Sequence, residues 1–318
     1  MQGIVGSGPL PASPAGAGPA GRARKGVAAG RMRRMSDHSV TVHSLHIHPI
    51  KSCAGIAVRE GLLIETGLEL DRAWMVVDDE GRFLTQRELP QMQLVKPTLR
   101  TEDLVLRAPG MLALHLAIHA VEEPCRATVW GDEVAAYDMG KVAAQWFTDY
   151  LGRPARLVRF DPEHHRACDA RWTAGLPAQT AFADGFPLLV ASTASLAELN
   201  RRLAAAGHPP AAMERFRPNL VLEGLEDAHA EDFIDELTIE SPQGPIVLKL
   251  VKPCSRCSIP DVDPTTAQTG HAITDTLLGY RADPRLNGAL TFGMNAIIVS
   301  GIDHVLQVGA RGEGTIAF

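Results

Sequence analysis

Val247-Leu248-Lys249-Leu250-Val251-Lys252-Pro253-Cys254-Ser255-Arg256-Cys257 runs from an apolar, β-branched stretch into a proline, then into two cysteines that flank Ser-Arg. A short apolar run of this kind forms a buried strand. Pro253 has no N–H to give to a ladder, which predicts that the strand ends there. Both cysteines then fall in a loop at the strand's end, a common place for chemistry. Arg256 sets a permanent positive charge beside the two thiols and favours thiolate, the form that binds soft metals. On spacing alone the C-x-x-C pair is open to three readings: half of a zinc site, a redox pair, or two inert thiols. Cys53, Cys125 and Cys168 supply no second pair, so inert or zinc-linked roles stand ahead of catalysis at this point.

Outward from that stretch the chain has the texture of a mostly β protein with a few helices (α+β). Its 318 residues are enough for two domains, with 45% hydrophobic and 21% charged residues. A net charge of −6 gives no sign of nucleic acid as a general partner. No apolar run reaches the ~18–20 residues of a membrane span. Five cysteines without framework spacing suit a reducing compartment, the cytoplasm. Residues 1–36 are rich in Gly, Ala and Pro, with Arg22, Arg24, Lys25, Arg31, Arg33 and Arg34 and no acidic residue. That composition predicts a disordered extension, and Met35 reads as the natural start.

From Ser39 to Phe160 short strands follow one another. Val40, Val42, Leu45 and Ile47 alternate with one phase slip at Ser44. A helix fits Lys141 to Leu151, stopped by Gly152. Residues 161–180 are polar, with His164, His165, Cys168 and Trp172, and read as a long mobile loop. A second β-rich unit follows, with a helix from Thr193 to Ala206 and a helical turn at Thr274–Tyr280. The expected division is therefore 1–36, 37–160, 161–180 and 181–318. His46 and His48 alternate onto one strand face, where exposed decoration is the plainer reading than a metal pair.

The wider wording of the chain resembles that of the MOSC-domain family. Lys252-Pro253-Cys254-Ser255-Arg256-Cys257, with Val262-Asp263-Pro264 and Thr269-Gly270, is similar to the family's signature. Pro49-Ile50-Lys51-Ser52-Cys53, Asp71-Arg72-Ala73-Trp74 and Phe216-Arg217-Pro218-Asn219 resemble three further motifs in the family's order. The resemblance runs from about His43 to Val308 and is nearest to the amidoxime-reducing proteins.

That resemblance implies an N-terminal β-barrel or sandwich-like domain followed by a β-barrel MOSC domain. It also implies the molybdenum cofactor, a phosphate-bearing pterin whose dithiolate holds Mo. Such a group needs a soft anionic ligand and donors for phosphate and pterin. By resemblance Cys257 is the Mo ligand and a catalytic residue, Asp184 passes protons as general acid, and Lys51, Ser52, Arg72, Arg217, Asn219, Ser255 and Arg256 contact the cofactor. The residues alone also allow plainer accounts: surface charge for Lys51 and Arg72, a turn and salt bridge for Arg217-Pro218-Asn219, a turn for Asp184.

The implied reaction is reduction of a small N-hydroxylated substrate. Its electrons would come from a separate flavodoxin, ferredoxin or small haem protein and the reductase that serves it. No cysteine follows Cys257 to hold an iron–sulfur cluster, and no G-x-G-x-x-G turn marks a nicotinamide or flavin site. A pyridoxal phosphate label would be inherited from longer relatives with an aminotransferase-like domain. The competing reading is a sulfur carrier, with a persulfide on Cys254 or Cys257 used in cofactor sulfuration.

Overall fold

A computed structural model of the chain describes residues 38–120 and 123–316. The extension at 1–36 and the suggested start at Met35 lie outside the described residues.

Seven strands close into a barrel. In spatial order they are Leu188–Ser192, Leu220–Glu223, His38–Ile47, Arg311–Ile316, Ile234–Ile239, Ile246–Ser255 and Ala289–Ser300, the last pairing back onto the first. Leu188–Ser192 and Leu220–Glu223 run parallel, and the other pairs are antiparallel. Alternation decides which side chains fill the interior: Ile246, Leu248 and Leu250 point in, while Val247 and Lys249 between them are half-covered. Val42, Leu45, Leu220, Leu237 and Met294 complete the same core. The slip at Ser44 is a β-bulge. Val42 pairs with Leu222 and Ser44 with Val221, which leaves His43 as the extra residue and returns Leu45 to the inside.

The strand Ile246–Ser255 does not end at Pro253. Pro253 pairs with Met294 and Ser255 with Thr291, across register shifts on either side of the proline. The neighbour on the other side, Ile234–Ile239, stops pairing at Lys249. Beyond that point the strand has one partner only, so the missing proline N–H faces no acceptor. Cys254 is thus on a strand, and only Cys257 lies in the loop beyond it.

A four-stranded sheet, ordered Trp74–Val77, Arg156–Phe160, Asp132–Asp138 and Pro124–Val129, stands beside a three-stranded one of Lys96–Leu99, Asp103–Arg107 and Leu114–Ala117. The helix Gly140–Leu151 lays Ala143, Trp146, Phe147 and Leu151 into their core. It ends at Gly152, whose left-handed φ of 69° carries its N–H to the Thr148 carbonyl.

The stretch 161–180 is tied down. Ala167 bridges Gln179, the Cys168 N–H donates to the Ala178 carbonyl at 2.9 Å, and a short helix forms at Ala170–Thr173. His48 is buried rather than exposed. Its Nε2 lies 3.3 Å from the Pro218 carbonyl, and a Cβ on Gly55 would meet the ring at 2.6 Å.

Candidate functional site

The four sequence motifs meet in space. After the barrel strand His38–Ile47, the backbone N–H of Lys51 donates to the Trp74 carbonyl at 2.8 Å, and Arg72 N–H donates to the His48 carbonyl at 2.9 Å. Asp71 accepts from His48 N–H at 2.7 Å and from Arg72 Nη1 at 2.5 Å. Arg72 then spans to the third motif, with Nη1 3.1 Å from Asn219 Oδ1 and Nη2 3.0 Å from the Arg217 carbonyl. Lys51, Ser52, Arg72, Asp184, Arg217, Asn219, Ser255, Arg256 and Cys257 all line one pocket, with Cys254 beside them. Every residue expected at the site is therefore gathered there, although their roles differ.

Asn219 spends its side chain on structure: Oδ1 accepts from Leu189 N–H, and Nδ2 donates to the His46 carbonyl. Arg217 is buried. Its Nη1 donates to the Cys53 carbonyl at 2.6 Å, while its Nη2 has no acceptor. Burial and the neighbouring Arg72 charge lower its pKa to about 10. Arg256 donates to the Phe216 carbonyl at 2.8 Å and to Cys254 Sγ at 3.0 Å, and its buried Nε is also unpartnered. Cys257 is exposed to the pocket.

Ser52, Arg72 and Arg217 hold φ of 66°, 49° and 57°. Non-glycine residues enter this region at a cost of order 1–3 kcal/mol each, and such residues cluster at ligand sites. Nothing in residue type or spacing announces it.

Lys51 is 6% exposed and donates to the Phe182 carbonyl at 2.9 Å and to Asp184 Oδ1 at 2.6 Å. Burial lowers its pKa, and Asp184 offsets part of that. The surrounding protein pushes the Asp184 carboxyl up, although its side chain is 72% exposed at the pocket mouth. The Lys51 ammonium, its hydrogen bond and that of Trp130 prevail and hold the carboxyl well below the usual range.

Several residues at the site carry no signal readable from the sequence. Trp130 tips the hairpin between Pro124–Val129 and Asp132–Asp138 with φ of 55°, a place where Gly or Asn fits freely. Its Nε1 donates to Asp184 at 3.2 Å, Phe83 meets it edge-on at 5.1 Å, and Arg87 lies 4.8 Å from its ring centre. Arg166, also buried, reaches from the 161–180 loop to the carbonyls of Ala181, Ala183 and Asp184 and to Asp132. Arg215 ties the Val262-Asp263-Pro264 motif to the segment before Arg217 through the Val262 carbonyl and Asp263 Oδ2. A zinc staple finds no support: among the described residues no group of three or more His, Cys, Asp or Glu side chains could hold a metal ion.

Residues 39–154 match the MOSC N-terminal beta barrel domain, and residues 177–310 match the MOSC domain. Mitochondrial amidoxime-reducing component 1 of Homo sapiens is 38% identical over 269 residues, covering 80% of this chain and 76% of that protein. Mitochondrial amidoxime reducing component 2 of Rattus norvegicus is 38% identical over 81% of this chain and 77% of that protein. Molybdenum cofactor sulfurase of Homo sapiens is 28% identical over 76% of this chain, which spans 28% of that longer protein.

Proposed function

The chain belongs to the MOSC family, and from that premise we propose that it binds the molybdenum cofactor and reduces small N-hydroxylated compounds. The observation that carries the reading is the donor set of one pocket. Two guanidinium groups, that of buried Arg217 at Nη2 and that of half-buried Arg256 at Nε, keep a buried N–H donor without an acceptor, beside Lys51, Arg72 and the exposed thiol of Cys257. Buried donors without partners are rare in native proteins and call for a ligand or water. A phosphate-bearing pterin is anionic and rich in acceptors, and Arg forks suit it; a thiolate suits a soft metal.

In this reading Cys257 ligates the metal, while Arg72, Arg217 and Arg256 hold the anionic cofactor with Lys51, Ser52 and Ser255. Asn219 acts through Arg72 by fixing its guanidinium. When bound, the cofactor supplies a two-electron redox centre for removal of oxygen from nitrogen. The expected role of Asp184 as acid shifts to its partner: the pair keeps its proton on Lys51 Nζ, 2.6 Å from Asp184 Oδ1. Asp184 orients that ammonium and keeps it charged. Trp130 and Phe83 border this pair at the pocket mouth, through the Trp130 Nε1 bond to Asp184 and the Phe83 ring centre 5.3 Å from Lys51 Nζ.

No second carrier of electrons is evident in the sequence, so a separate electron-transfer protein of flavodoxin, ferredoxin or small haem type, with its own reductase, completes the cycle. No described helix is long and apolar enough to cross a membrane, and five free cysteines favour a reducing compartment such as the cytoplasm. A second reading, sulfur carriage in cofactor sulfuration, is favoured by the Arg256–Cys254 contact, which places a cation at a second thiol in the same pocket.

The test is metal and pterin analysis of protein made in a host able to synthesise the cofactor. One Mo and one pterin per chain, both lost in Cys257→Ala with an unchanged melting temperature, are expected. Full Mo in that variant removes the assignment, and sulfane sulfur without Mo selects the carrier reading.

A further inference from the structure

A second cavity, of about 550 Å³, lies between the 161–180 loop and the barrel wall. It is an open cleft whose volume falls in the size range of small-molecule sites. Leu176, Pro177 and Ala178 form one wall, and Pro187, Ile298 and Ile302 form the other. Cys168 also lines it, and burial raises its thiol to about 11, so the thiol adds no charge to the cleft at neutral pH.

Neither wall is loose chain. The loop wall is held by the Ala167–Gln179 bridge, the Cys168–Ala178 hydrogen bond and the N–H of Thr180 on the Arg166 carbonyl at 3.0 Å. On the opposite wall Ile298 belongs to the barrel strand Ala289–Ser300, Pro187 directly precedes the barrel strand Leu188–Ser192, and Ile302 lies in the turn that follows Ser300. The space is therefore built into the fold and does not result from a loop left standing off the surface.

Polar groups are few. Glu65 contributes a carboxylate, and His165 Nδ1 and Gln179 Oε1 meet at 2.8 Å. No lysine or arginine is among the lining residues. A carboxylate with no fixed cation opposite it repels an anionic head and accepts from a donor.

We propose that this cavity binds a small apolar molecule with a non-anionic, hydrogen-bond-donating head, an amine or an alcohol, its body between Ala178 and Ile298 and its head toward Glu65. The inference rests on the cavity alone and is independent of the molybdenum reading.

The experiment is a titration of the full chain with N-phenyl-1-naphthylamine, followed by competition with decylamine, decanol and decanoate. One saturable site with enhanced emission is expected. Decylamine and decanol should displace the probe, and decanoate should be at least tenfold weaker than either. Ala178→Phe and Ile302→Trp fill the cavity from its two walls; whichever keeps the parent melting temperature should weaken the probe at least tenfold. Glu65→Gln should weaken decylamine more than decanol. Absence of saturation, or unchanged binding in a folded filled variant, overturns the site. Decanoate competing as well as decylamine overturns the assigned ligand class.

Discussion

Replacing Arg166 by Met separates a buried clamp from an ordinary surface charge. The guanidinium is 6% exposed and donates to three carbonyls, those of Ala181, Ala183 and Asp184, as well as to Asp132. The Asp132 partner is 56% exposed, so that ion pair counts for little. The carbonyl bonds matter more, because a charged donor contributes about 1.5–3 kcal/mol per bond and the abandoned acceptors lose their partner. The Met stem recovers part of the packing. A net loss of about 3–5 kcal/mol is consistent with removing one member of a buried charged network. For a chain of this size that is a fall in melting temperature of roughly 4–8 °C. Arg171, in the same loop, pairs with Asp169 at the surface, so Arg171→Met should leave the melting temperature unchanged. Differential scanning calorimetry of the two variants beside the parent makes the comparison. Equal, small shifts for both would refute the clamp, as would a large shift for Arg171→Met alone.

Leu248, fully buried in the barrel, should cost about 2–5 kcal/mol when cut to Ala, read as a lower denaturation midpoint. Cys254→Ala should retain bound Mo where Cys257→Ala loses it; metal analysis with the opposite pattern would exchange the two roles. The Asp184 carboxyl has a folded pKa below its unfolded value of about 3.9. The unfolded chain therefore binds more protons between the two, and stability rises with pH there. That contribution is complete above about pH 4 and lost as pH falls through the folded pKa. Asp184→Asn should flatten the acid limb of the stability profile, and an unchanged limb would show that other carboxylates dominate it. The Mo-loaded protein should reduce a hydroxylamine or amidoxime with reduced viologen and not with NADH alone; turnover with NADH alone would show an internal electron route.

Much of the fold was legible where side chains report their own surroundings. An apolar run marked the strand at Val247–Val251, alternation marked the slip at Ser44, and Gly152 marked the end of a helix, because each is decided within a few residues. Pairing partners were not. A period of two says that Val42 and Leu45 face inward, but not that their strand lies between Leu220–Glu223 and Arg311–Ile316. Pro253 misled because it reads as a stop only where a ladder continues on both sides. The site was legible through residue types matched to known motifs, which brought Lys51, Arg72, Arg217 and Cys257 to one pocket. The left-handed backbone at Ser52, Arg72 and Arg217 was invisible, since none is Gly or Asn. Trp130 and Arg166 were missed because what makes them matter is a contact with Asp184 made across 54 and 18 positions of chain.

The place of the strand His38–Ile47 also sets a timetable. Its residue His38 pairs with Gly314 and its Thr41 with Glu223. On a ribosome adding about 5–20 residues per second, the first strand waits roughly 15–55 s for its last neighbour to be made. Throughout that interval it exposes an apolar edge able to pair with another nascent chain. The amino-terminal sheets can condense early on local contacts, whereas the barrel cannot close until translation has passed Ile316. Holding chaperones should therefore find their substrate here in the unclosed barrel, and slowing elongation near Arg311 should lower soluble yield more than the same pause placed within residues 74–160.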